Sequence, residues 1–112
     1  MSITAGQQIA GYATNAVSGQ VAEAGNNTLV TPSLGKALRL FYVSYNPLVA
    51  VEAAFRFGAA GALFLRNAVT AHSVIAKDCG TVRSLRGAVD EPLILNLSAA
   101  VACNWNAFYL EE

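Results

Sequence analysis

Gly35-Lys-Ala-Leu-Arg-Leu-Phe-Tyr-Val-Ser-Tyr-Asn-Pro-Leu-Val-Ala-Val-Glu-Ala-Ala-Phe-Arg-Phe57 decides the fold class, because it reads as two long β-strands joined around Asn46 and Pro47. In the second, Val49, Val51, Ala53, Phe55 and Phe57 share one face while Glu52 and Arg56 fall on the other, the period of a half-buried strand. The first, Lys36 to Tyr45, is apolar on both faces. Strict alternation sends Leu38, Leu40 and Tyr42 one way and Ala37, Phe41 and Val43 the other, so one sheet over one core would leave large apolar groups in water. A second sheet, another copy of the chain or a large assembly is expected to cover that face.

Working outward, turns and short apolar segments recur at regular spacing. Gly25-Asn-Asn reads as a turn, Thr28 to Thr31 as a strand, and Pro32-Ser-Leu-Gly35 as a turn before the long strand. Gly58-Ala-Ala-Gly61 suits a hairpin connection into a strand from Ala62 to Arg66, with Asn67 to Ala71 as loop. Strands are expected at His72 to Lys77, Thr81 to Leu85, Leu93 to Ser98 and Ala102 to Leu110. Ala99-Ala-Val-Ala102 is the one stretch where alanine favours helix. About eight antiparallel strands and no helix predict an all-β chain, a single small antiparallel β-sandwich of jelly-roll type.

Composition changes near Asn26. Residues 1–26 are rich in small and polar residues and carry one charge, Glu23, with Ile3, Ile9, Tyr12, Val17 and Val21 as the larger apolar groups. Such a segment has little local reason to fold, so it is expected to be an extended arm held by contacts with the body or with other chains. The sandwich domain is then residues 27–112.

Charged residues are 12% of the 112, against about a quarter in ordinary soluble proteins, and hydrophobic residues reach 54%. A free monomer of this composition is disfavoured. Seven basic and seven acidic side chains cancel and are scattered, which argues against a nucleic-acid partner. The run from Phe57 to Leu65 is far too short to span a bilayer, and the first residues lack a basic n-region and apolar h-region. Synthesis in a cytoplasm without membrane association is the expectation. Cys79 and Cys103 are therefore read as free, structural thiols.

Chemistry-bearing motifs fail one by one. Gly35-Lys36 resembles a P-loop fragment, but Val30 stands where the upstream glycine belongs and Ala37 where the hydroxyl residue belongs. His72, the only histidine, lacks partners at metal-ligand spacing and reads as structural. A base and nucleophile pair of His72 with Cys79, helped by Asp78, would need an oxyanion hole that nothing in the sequence supplies. The sequons at Asn26 and Asn96 have no secretory signal to give them meaning. No catalytic residue, metal site or cofactor is expected. Trp105 between Asn104 and Asn106 is the one local arrangement that suits a sugar, though a core tryptophan is the commoner use.

Gly35-Lys36-Ala-Leu38-Arg39-Leu40, Leu93-Ile-Leu-Asn96-Leu97-Ser98-Ala99-Ala100-Val101-Ala102 and the final Tyr109-Leu-Glu-Glu together resemble small virion proteins of tailed bacteriophages, of the head decoration (cement) type. The resemblance covers roughly residues 35–112 and departs at Cys103-Asn-Trp-Asn106, where a glycine-containing turn belongs. It implies a compact β-sandwich on the capsid surface, commonly a homotrimer, reinforcing contacts between major capsid subunits. On that reading Leu38, Leu40, Phe41, Tyr42 and Val43 supply the subunit interface, and Ile3, Ile9, Tyr12, Val17 and Val21 supply the arm's contacts with the capsid. The alternatives are a tail or head fibre module binding a host-surface glycan, marked by a row of exposed aromatics, and a small enzyme using His72 and Cys79.

Overall fold

The computed structural model describes residues 8–9, 12–13, 15–61, 63–78 and 85–112. These form β1 (Gln8–Ile9), β2 (Tyr12–Ala13), β3 (Asn15–Val21), β4 (Gly25–Val30), β5 (Leu38–Pro47), β6 (Val51–Phe57), β7 (Phe64–Val69), β8 (Ile75–Asp78), β9 (Leu85–Arg86), β10 (Leu93–Leu97) and β11 (Cys103–Glu111). The described residues contain no helix, and Ala99 to Ala102 is a bend and loop. β1 and β2 pair with each other; the rest build two antiparallel sheets, β4-β10-β6-β7 and β3-β11-β5-β8, with β9 also on β5. Counting β3 to β8, β10 and β11 as strands one to eight gives sheet orders 2-7-4-5 and 1-8-3-6. That is the jelly-roll arrangement expected from the sequence.

The two sheets close on one core, with Leu38, Leu40, Val43, Tyr45, Cys103, Trp105 and Ala107 from one and Val51, Ala53, Phe55, Leu93, Leu95 and Leu97 from the other. Period two holds where it was expected in β6, with Glu52 exposed and Arg56 half-exposed on the outside. Val49 is an exception. It lies before β6 in an exposed bend.

β5 breaks strict alternation. Phe108 of β11 pairs with Tyr42 and Tyr109 with Leu40, so Phe41 is an extra residue on β5, a β-bulge. On the other flank β5 changes partner at the same point, from β8 at Tyr42–Tyr45 to β9 at Arg39–Leu40. One extra residue reverses side-chain parity, so even-numbered Leu38 and Leu40 and odd-numbered Val43 and Tyr45 all face the core. The strand therefore does not present the two apolar faces that strict alternation gives it. Leu38, Leu40 and Val43 are fully buried in their own chain and cannot form the subunit interface assigned to them; Phe41 is 3% exposed, and Tyr42 alone of the five lies half-buried on the outer face.

The amino-terminal assignment changes as well. Asn15–Val21 runs the length of β11, from Asn15 opposite Tyr109 to Val21 opposite Cys103, and Gly25–Val30 pairs with β10. Residues 15–26 therefore belong to the sandwich and not to an arm. Val17 and Val21 pack half-buried against the core, so their contacts are within the chain. Ile3 and the side chains of Ile9 and Tyr12 lie outside the described residues. Gly19 explains why this strand is so plain: a Cβ there would stand 3.2 Å from Trp105 Nε1, so the indole uses the space a side chain would fill.

Tyr45 ties the sheets together. From β5 its hydroxyl reaches the carbonyls of Ala53 on β6 (3.1 Å) and Leu65 on β7 (2.9 Å). Leu65 is the extra residue of a second bulge, with φ of 53°, where the β6–β7 register shifts. The phenol O–H donates to a carbonyl at the point where the ladder is interrupted. Tyr45, Phe55, Phe64 and Phe57 then form a chain of rings with centroids 5.5 to 5.8 Å apart.

Candidate functional site

Two surfaces carry side chains that the fold itself does not consume. The first is the outer face of the β3-β11-β5-β8 sheet. Because Phe41 resets the parity of β5, Tyr42, Ser44 and Asn46 point outward there, opposite Phe108, Asn106 and Asn104 of β11. Gln20, Ser18 and Ala16 of β3 continue the same rows. Gln20 Nε2 donates to Asn104 Oδ1 (3.0 Å), Ser44 Oγ to Asn106 Oδ1 (2.7 Å), and Asn46 Nδ2 to the His72 carbonyl (3.1 Å). Tyr42 and Phe108 sit together with centroids 5.8 Å apart. An open concavity of about 390 Å³ lies over this polar array, flanked by Val74. These rows, from Ala16, Ser18 and Gln20 of β3 to Tyr42, Ser44 and Asn46 of β5, carry no charge.

The second surface is the loop tip where β5 begins and β11 ends. Ser33 to Lys36 makes a turn closed by Lys36 N donating to Ser33 O (2.9 Å), with Gly35 at φ of 81°, a conformation that favours glycine. Gly35 N donates to Asp90 Oδ1 (2.7 Å) and Asp90 N to Lys36 O (2.8 Å), which joins this turn to the loop before β10. Ser33 donates through N and Oγ to the two oxygens of Glu111, at 2.8 and 3.0 Å. Beside them, Glu112 Oε1 accepts from Arg39 Nε (2.8 Å) and Arg86 Nε (2.9 Å). The turn held from these sides presents Leu34, 93% exposed, and the adjoining loop presents Val89, 52% exposed.

The residues considered for chemistry are scattered. His72 occupies a turn at φ of 63°, its side chain exposed, its N–H on Pro47 O (2.7 Å). Cys79 lies outside the described residues, so its pairing with His72 does too. Cys103 is a free, buried thiol whose pKa burial pushes up, partly offset by a hydrogen bond from the Asn46 backbone. A thiol held in its protonated form is a poor nucleophile. Among the described residues, no three of His, Cys, Asp and Glu come together in a group that could hold a metal ion. Trp105 turns toward the core, 8% exposed, so it is no sugar platform.

Sequence reasoning missed both surfaces. Leu34 looked like an ordinary turn residue, and the bonds that fix it come from positions 55 and 78 residues away from its neighbours. In the sequence Asn104 and Asn106 read only as flanks of Trp105, whereas they, and not the indole, lie on the outer face.

No protein-family model matches the chain. No curated protein matches it either. Among solved structures, the virus-like particle of the giant freshwater prawn Macrobrachium rosenbergii extra small virus, determined by cryo-electron microscopy, is similar at 9% identity and a TM-score of 0.39, over 91% of this chain and 82% of that one.

Proposed function

We propose that this chain is a non-enzymatic virion structural protein of the phage head decoration type, made in the host cytoplasm and bound to the capsid surface. In this reading it associates with copies of itself and with the major capsid protein, and reinforces contacts between capsid subunits. The observation that carries the reading is the fixed tip: a leucine almost wholly in water, on a turn braced by Asp90 and Glu111, is a preorganised knob for a partner's pocket. Burying one such side chain is worth about 1.5 to 3 kcal/mol, or about 10- to 150-fold in affinity. Several copies held together would multiply that modest contact into firm attachment.

The test is binding of purified protein to capsids that lack it. Leu34→Ser with Val89→Ser should weaken binding at least tenfold while thermal unfolding stays within about 2 °C, since both side chains are exposed. Undiminished binding, or absence of the polypeptide from purified virions, would overturn the proposal. The fibre-module reading draws on the amide rows and the Tyr42–Phe108 pair instead, and capture on a glycan array, abolished by Asn104→Ala with Asn106→Ala, would favour it.

A further inference from the structure

The five strands at the lateral margins of the sandwich are not equally protected. On one side, β7 carries the Leu65 bulge and Arg66, β8 is four residues long with Lys77 and Asp78, and β9 is two residues long with Arg86. Short length, charge and bulges are the devices that stop an edge from recruiting another strand. On the other side, β4 is interrupted where Leu29 is the extra residue against β10. β3 has none of these devices. Asn15-Ala-Val-Ser-Gly-Gln-Val21 is seven residues long, without proline, charge or register break, and among the described residues only β11 pairs with it.

We infer that β3 is an assembly edge, and that its occupant is β3 of a second copy of this chain, paired antiparallel about a two-fold axis through Ser18. The charge distribution selects this occupant. The nearest charge in sequence to either strand of this margin is Glu23, in the turn between them, so a charged strand finds no complement and an identical one meets no repulsion. The register is self-consistent. Centring on Ser18 sets Val17 opposite Gly19, Ala16 opposite Gln20 and Asn15 opposite Val21 of the second copy, each larger residue against a smaller or polar one. On the core side, Gly19 is where the Trp105 ring lies at the strand surface, so Val17 of the second copy would add its methyl groups at the exposed edge of the indole. The β3-β11-β5-β8 sheets of two copies would then run on as one continuous sheet. A closed two-fold pair consumes the edge in both chains and leaves no template for further growth. A threefold ring through this strand would place unlike residues together, so Ser18 against Ser18 is a mark of the pair alone.

Sedimentation velocity of the full chain from 1 to 200 µM should show a monomer–dimer equilibrium. Ser18 is exposed, so Ser18→Lys and Ser18→Asp should each keep the wild-type melting temperature at concentrations where the wild type is monomeric. Each should also raise the dimer dissociation constant at least tenfold, because the axis sets like charges face to face. Mixing the two variants should restore dimers, all of them mixed by native mass spectrometry. As a test independent of charge, Ser18→Cys should oxidise to a disulfide dimer whose linked peptide joins position 18 to position 18. A wild-type monomer throughout, an oligomer indifferent to both charged variants, a mixture that fails to recover, or no 18-to-18 crosslink in a folded protein would each overturn the inference.

Discussion

Replacing Tyr45 by phenylalanine removes one oxygen and leaves the ring, so it isolates the tie between the sheets. The Leu65 carbonyl sits at a bulge with no regular ladder partner opposite it, and the phenol is its donor at 2.9 Å. A buried carbonyl that loses its donor costs about 1 to 3 kcal/mol. A chain of 112 residues unfolds with an entropy of about 0.24 kcal/mol/K at roughly 2.1 cal/mol/K per residue. Tyr45→Phe should therefore lower the melting temperature by about 4 to 13 °C, measured by circular dichroism or calorimetry at pH 7. Tyr109→Phe, on the half-buried end of β11, calibrates the loss of a phenolic oxygen at a less enclosed site and should shift it less. A drop below about 2 °C for Tyr45→Phe, or one no larger than that of Tyr109→Phe, would show that the hydroxyl does not hold the sheets together.

Leu40→Asp should abolish the β-sheet signal in circular dichroism instead of merely dissociating an oligomer, since it places a carboxylate without a partner in the core, at a cost of several kcal/mol. Deleting residues 1–14 should leave melting within a few degrees of the full chain, whereas deleting 1–26 removes β3 and the start of β4 and should yield an insoluble or unfolded product. Burial raises the pKa values of Cys103, Tyr45 and Tyr109, so the unfolded chain ionises first as pH climbs; their contribution is complete below about pH 9 and is lost as pH rises through 9 to 10 and above. Urea unfolding should show stability falling over that alkaline range, less steeply in Tyr45→Phe.

The class of fold was legible because its signal is local: alternation in Val51–Phe57, the Gly58–Gly61 hairpin and Leu93-Ile-Leu-Asn-Leu97 each carry their own evidence. Burial in Lys36 to Tyr45 was not, because parity counting assumes an unbroken ladder. The bulge at Phe41 is set by the register against β11 and by the change from β8 to β9 alongside, which are contacts across 30 to 70 residues of chain. Asn15–Val21 was missed for a related reason. Its glycine is required by the Trp105 ring and its outer residues Ala16, Ser18 and Gln20 are small or polar, so taken alone the segment looks like an unstructured arm. The loop tip needed the hydrogen bonds of Asp90 and Glu111, whose partners sequence spacing does not reveal.

The extra residue at Phe41 also fixes how β5 has to be addressed from outside. Before it, odd numbers such as Arg39 look toward solvent; after it, even numbers such as Tyr42, Ser44 and Asn46 do. A spin label or crosslinker sited by simple alternation from Arg39 would land at Val43, inside the core, and a silent probe would be mistaken for a shielded contact. The strand is better treated as two short rulers with separate zeros, and an insertion or deletion on either side of Phe41 shifts only its own ruler.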